Sequence, residues 1–101
     1  MAMLHIVNKS PFERNSFDSC LSHARAGGSI LLFEDGIYAV IKGSVASDKI
    51  QRASGISIYA LGPDLKARGI GEDQIIEGVT VVDYGGFVDL VTRHDNVQSW
   101  L

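Results

Sequence analysis

The 101-residue chain has one cysteine, one tryptophan and two prolines. A single thiol, Cys20, excludes an internal disulfide. One cysteine with three dispersed histidines offers no paired ligand spacing, so neither a metal nor another cofactor is expected. Lys and Arg number nine against twelve Asp and Glu, for a net charge of −3, and they are scattered without a basic cluster or stripe. This argues against direct binding of nucleic acid. The apolar stretch 29–33 is far too short to cross a bilayer, and residues 1–8 lack a charged n-region followed by a long apolar stretch and cleavage site. The expectation is a cytoplasmic protein with no membrane partner, which one unpaired cysteine also fits. No GxGxxG or P-loop occurs. Gly27-Gly28 precedes a strand, Gly69-Ile70-Gly71 follows a helix, and Gly85-Gly86, better placed for an anion, reads as a packing feature.

What is abundant is apolar residue, 46% of the chain, with a mean hydropathy of +0.12. The length suits a single domain spanning 1–101, and such a domain buries only about 60 to 65% of the surface its unfolded chain exposes. The surplus apolar surface points to a subunit interface.

Four apolar runs, 4–7, 29–33, 56–61 and 79–82, are short and bounded by polar or turn-forming residues. Three are nearly continuous, as expected of strands covered on both faces of a parallel sheet. The first crossover helix follows Ser10-Pro11, with Asn15 or Ser16 as N-cap and Asp18 near its positive end, and should run to Gly27-Gly28. The second connection opens at Asp35-Gly36, carries Ile37, Val40 and Ile41, breaks near Gly43 and resumes over 47–53. The third opens at Pro63-Asp64. In the last helix, capped by Asp83, the i, i+3, i+4, i+7 spacing of Tyr84, Phe87, Val88 and Val91 predicts a core-facing stripe. The order βαβαβαβα predicts an α/β fold, a three-layer α/β/α sandwich with a small, mainly parallel sheet.

Cys20 is the candidate reactive residue. With Phe17, Leu21 and Ala24 it has helical spacing, which suits a buried and inert thiol. At about 100° per residue, however, those three lie to one side and Ser16 and His23 to the other, placing Cys20 at the edge of the stripe, where a reactive thiol could also stand. His23 could share its face and favour the thiolate. His5, within the first strand, reads as a satisfied interior or interface histidine, and His94 as a helix C-terminal residue. Asp35, Asp64 and Asp83 stand where α/β ligands gather, but helix capping accounts for them. Trp100, after the polar stretch 94–99, reads as an interface anchor.

Several segments then read together: Leu4-His5 with Lys9-Ser10-Pro11, LLFEDG over 31–36, Tyr59-Ala60-Leu61 with Asp64-Leu65-Lys66-Ala67-Arg68-Gly69, Val82-Asp83-Tyr84 with Phe87-Val88, and Trp100. Over nearly the whole chain this resembles the DsrH/TusB family of DsrE-like sulfur-relay proteins, and most closely its DsrH type. Gly62-Pro63 and Gly85-Gly86 are local variations on the pattern.

The resemblance implies a DsrE-like, flavodoxin-like fold. It also implies a sulfurtransferase complex: an α2β2γ2 heterohexamer with DsrE/TusD-like and DsrF/TusC-like subunits, the principal acceptor cysteine lying on the DsrE/TusD-like chain. Sulfur carriers of TusA and DsrC/TusE type are the implied exchange partners. TusB-type members serve 2-thiolation of the tRNA wobble uridine and can lack a cysteine at the position of Cys20, whereas DsrH-type members of sulfur-oxidising systems carry one. The resemblance therefore implies sulfur oxidation with Cys20 as a candidate persulfide carrier. The alternatives are the TusB-like tRNA relay and a purely structural subunit.

Overall fold

The computed structural model describes residues 3–12, 16–24, 27–53 and 55–100. The elements run β1 (Met3–Val7), α1 (Ser16–His23), β2 (Ser29–Leu32), a 3-10 segment Glu34–Val40, α2 (Val45–Arg52), β3 (Ser57–Leu61), α3 (Gly62–Ala67), a second 3-10 segment Glu72–Gln74, β4 (Val79–Val82), α4 (Tyr84–Arg93) and β5 (Asn96–Trp100). The expected α/β/α sandwich is present, and the sheet is parallel throughout, in the order β4-β3-β2-β1-β5.

That order divides the core in two. Three successive steps from β1 to β4 go one way and place their helices on one face, while the return from β4 to β5 must cross the other if every crossover is right-handed. The larger cluster accordingly joins Val7, Ile30, Leu32, Ile58 and Ala60 to Phe17, Cys20, Ile50 and Leu65 of the first three helices. The smaller joins Leu4 and Leu31 to Leu90 of α4. β2 lies between both clusters, and all four of its residues are buried. This explains why its sequence shows no alternation.

The connections follow local chemistry. Ser44 caps α2 by accepting from Ser47 N at 3.0 Å, and Asp83 caps α4 by accepting from Gly86 N at 2.8 Å. Pro63 sits in the first turn of α3. Gly36 is required by packing, because a Cβ there would overlap the Val7 carbonyl oxygen. Of the two N-caps expected for α1, Ser16 is already helical, and Asn15 lies outside the described residues. α1 stops at His23, short of Gly27-Gly28. Those glycines belong instead to the approach of β2 and β3, with Gly27 N donating to Gly55 O at 2.6 Å and Ser57 N to Gly28 O at 3.1 Å.

Two expectations are corrected. The stretch 94–99 contributes to a fifth strand, β5, pairing with β1 from Met3↔Asn96 to Val7↔Trp100. The stripe of α4 also faces the wrong way: Tyr84 and Val88 are 62% and 61% exposed and Val91 is 37% exposed, while Leu90, 1% exposed, faces the sheet with half-buried Phe87 beside it. The cause is Gly86, whose Cβ would stand 2.9 Å from Val82 Cβ. The helix therefore approaches the sheet along its glycine side, which turns Leu90 inward and leaves the valines on the flank.

Leu90→Ala should cost about 2–5 kcal/mol in urea unfolding. Val88→Ala should change stability by less than about 0.5 kcal/mol. The reverse ranking would place the stripe back in the core.

Candidate functional site

α1 carries the thiol. Cys20 is 0% exposed and Phe17 1%, with Leu21 and Ala24 partly buried beside them. The inward direction of the helix thus runs through Cys20 itself, not past its edge. Burial alone pushes the Cys20 thiol up to about 12. A desolvated thiol with no compensating charge is mostly protonated at neutral pH and is a poor nucleophile.

β5 adds a further contact to this helix. Its last described residue, Trp100, packs against the Cys20 cluster, and its ring centroid is 5.4 Å from that of His23. The indole lies against the His23 side of α1. His23 has other partners than the thiol: its ring lies tilted against Trp100, and its Nδ1 donates to Ser19 O at 2.7 Å.

The structure brings together His5, Trp100 and His23, a grouping that sequence reasoning missed. Trp100 Nε1 donates to His5 Nδ1 at 3.0 Å, so His5 Nδ1 carries no proton and the neutral ring keeps its proton on Nε2. His5 is 4% exposed. Burial, then the neighbouring His23, hold its imidazole below the ordinary value of 6.5. The sequence signal was thin, because Asn96, Gln98 and Ser99 hide the strand that carries Trp100.

The other candidates have structural partners. His94 donates from Nδ1 to Leu90 O at 2.7 Å, and its Nε2 accepts from Ser29 Oγ at 3.0 Å, fastening the end of α4 to β2. At the carboxyl ends of the strands only Asp83 acts as a cap. Asp64 accepts from Glu34 N at 2.6 Å and holds Glu34 at φ +47, while Asp35 accepts from Arg68 Nε and Nη2 at 3.1 and 2.9 Å. No group of three or more His, Cys, Asp or Glu side chains able to hold a metal occurs among the described residues. No helix of the described residues is long and apolar enough to cross a membrane.

Two predictions follow from this geometry. Native Cys20 should react with a disulfide reagent near pH 8 at least about a hundredfold more slowly than in denaturant; equal rates would mean an accessible thiol. The second concerns pH. Because the folded state holds His5 neutral, the unfolded state binds more protons in acid. Stability should therefore be full above the ordinary 6.5 and fall as pH drops from there toward the lowered folded value. Fluorescence of the single tryptophan should report this transition, and His5→Gln, which retains an acceptor but cannot titrate, should abolish its part. An unchanged profile in His5→Gln would remove His5 as the titrating group.

Comparison with known proteins agrees with this architecture. The family model described as "DsrH like protein" matches residues 9–97. The chain is 36% identical to Protein TusB of Pectobacterium parmentieri over 100 residues, covering 97% of this chain and all of the relative. It is 39% identical to Protein TusB of Buchnera aphidicola subsp. Baizongia pistaciae and 34% identical to that of Escherichia coli K12, each over 98 residues with the same coverage. Among solved structures, the ychN protein of E. coli superposes with a TM-score of 0.79 at 16% identity, over 98% of this chain and 99% of that one. A Methanobacterium thermoautotrophicum protein of unknown function gives 0.69 at 19% identity, over 96% of both chains. These two establish the fold alone. With a family model spanning most of its length and full-length relatives above 30% identity, the chain belongs to the DsrH-like family that includes the TusB proteins.

Proposed function

We propose that this chain is an assembly subunit of a cytoplasmic sulfur relay supplying 2-thiolation of the tRNA wobble uridine. The observation that carries the reading is the full-length likeness to TusB proteins of several bacteria. The burial of Cys20 supports assigning the transferred sulfur to another subunit, of DsrE/TusD type. In this reading Cys20 is a packing residue.

The assembly role has a candidate surface. Tyr84, Val88 and Val91 project from α4, and Val97, paired with Leu4, stands exposed on the same face of the sheet. An apolar flank of this kind suits a permanent contact with related subunits of DsrE/TusD and DsrF/TusC type in an α2β2γ2 heterohexamer. Carriers of TusA and TusE type then exchange sulfur with the assembled complex.

A second reading, sulfur oxidation with Cys20 as a persulfide carrier, is favoured by the presence of the cysteine and by the DsrH-like family model. In that chemistry the Cys20 thiolate attacks the outer sulfur of a donor persulfide. The new S–S bond forms at Cys20, the donor's S–S bond breaks, and the donor leaves as a thiolate. It requires Cys20 to become accessible, because the thiol is fully buried in this structure.

The readings separate in a strain lacking its own TusB. Under the assembly reading, this chain and its Cys20→Ala variant should restore tRNA 2-thiouridine equally, measured by nucleoside mass spectrometry when the matching partner subunits are co-expressed. Val88→Asp should prevent co-purification of the partners. Failure of the unaltered chain to restore thiolation would reject the tRNA reading. Gain of one sulfur mass by the assembled chain, lost in Cys20→Ala, would support the carrier reading.

A further inference from the structure

The strand order leaves two sheet edges of different character. β5 ends the sheet with Asn96, Gln98 and Ser99, polar residues on a strand mostly exposed to water. β4 ends it with Val-Thr-Val-Val: three of its four residues are valine, none is charged and none is proline. Its only strand partner among the described residues is β3. Charges, prolines and bulges are the usual means of closing an edge against added strands, and β4 has none of the first two within its length.

Beside this edge, on the face carrying α2 and α3, lies an open groove of about 490 Å³ lined by Lys42, Glu72, Ile75, Ile76, Glu77 and Val81, among others. Ile75 and Ile76 are 7% and 5% exposed, and Val81 is 40% exposed. The groove wall is preformed, since Lys42 N donates to Gln74 O at 2.8 Å and Ile76 N to Val40 O at 3.0 Å. The rim carries two exposed carboxylates, Glu72 and Glu77, against the single ammonium of Lys42.

We propose that the β4 edge and its groove dock an extended segment of another polypeptide, with apolar or β-branched side chains at alternate positions and Lys or Arg at its flanks. Backbone pairing to β4 supplies the affinity, the apolar residues cover Val81, and the basic flanks meet Glu72 and Glu77. A second copy of this chain lacks the basic flanks this rim calls for, and in antiparallel self-pairing centred on Thr80 it would set Glu77 of each copy opposite Asp83 of the other. The surface is distinct from the α4 flank and does not depend on the sulfur-relay reading.

The test uses the full chain and two capped synthetic hexapeptides, Lys-Thr-Val-Thr-Val-Lys and Glu-Thr-Val-Thr-Val-Glu, followed by backbone amide NMR. The lysine peptide at millimolar concentration should shift the β4 amides saturably, and the glutamate peptide should bind at least about tenfold more weakly. The double variant Glu72→Lys with Glu77→Lys should reverse that preference, and its own spectrum reports that it is folded. Unmoved β4 amides, an equal response to both peptides, a response confined to β5, or self-association of the chain through β4 without peptide would each overturn the proposal.

Discussion

The hydrogen bond from the Trp100 indole to His5 Nδ1 joins two residues 95 positions apart, and much of the molecule's behaviour depends on it. It satisfies the one polar atom of an otherwise apolar ring and fixes the tautomer of a buried histidine. With backbone pairing it closes β5 onto β1. A hydrogen bond of this kind contributes only about 0.5–1.5 kcal/mol net, but breaking it by protonation leaves a charge beside His23 in a desolvated place. The same indole lies against His23 of α1. Trp100 also packs against the cluster that contains Cys20, 80 positions away in sequence.

Much of the framework was legible in the sequence. The run 29–33 is continuous because its strand is covered on two faces, and Asp83 and Pro63 mark helix starts by backbone chemistry that needs no tertiary context. β5 was hidden for the opposite reason. An edge strand with few buried side chains has no hydrophobic pattern to display, and its identity rests on backbone pairing with a distant strand.

The candidate site was less legible because helical spacing gives relative angles, not the roll of a helix against its sheet. For α4 the roll follows from the close approach of Gly86 to Val82. In α4 the apolar arc was correctly located on the helix and wrongly oriented in the fold, whereas the arc of α1 faces the core as its spacing suggests, with Cys20 inside it. In α4 that error uncovers the flank on which the assembly proposal rests, since Tyr84, Val88 and Val91 are more apolar surface than the chain itself covers.

The adjacency of β1 and β5 has a consequence for how the protein is made. A chain emerging from the ribosome delivers β1 about 90 residues before the strand that flanks it. At 5–20 residues per second that is an interval of about 5–20 s. Throughout it, β1 can pair with β2 on one side while its other edge stays open and His5 lacks its indole donor. Until β5 arrives, the sheet lacks the strand that closes this side of β1.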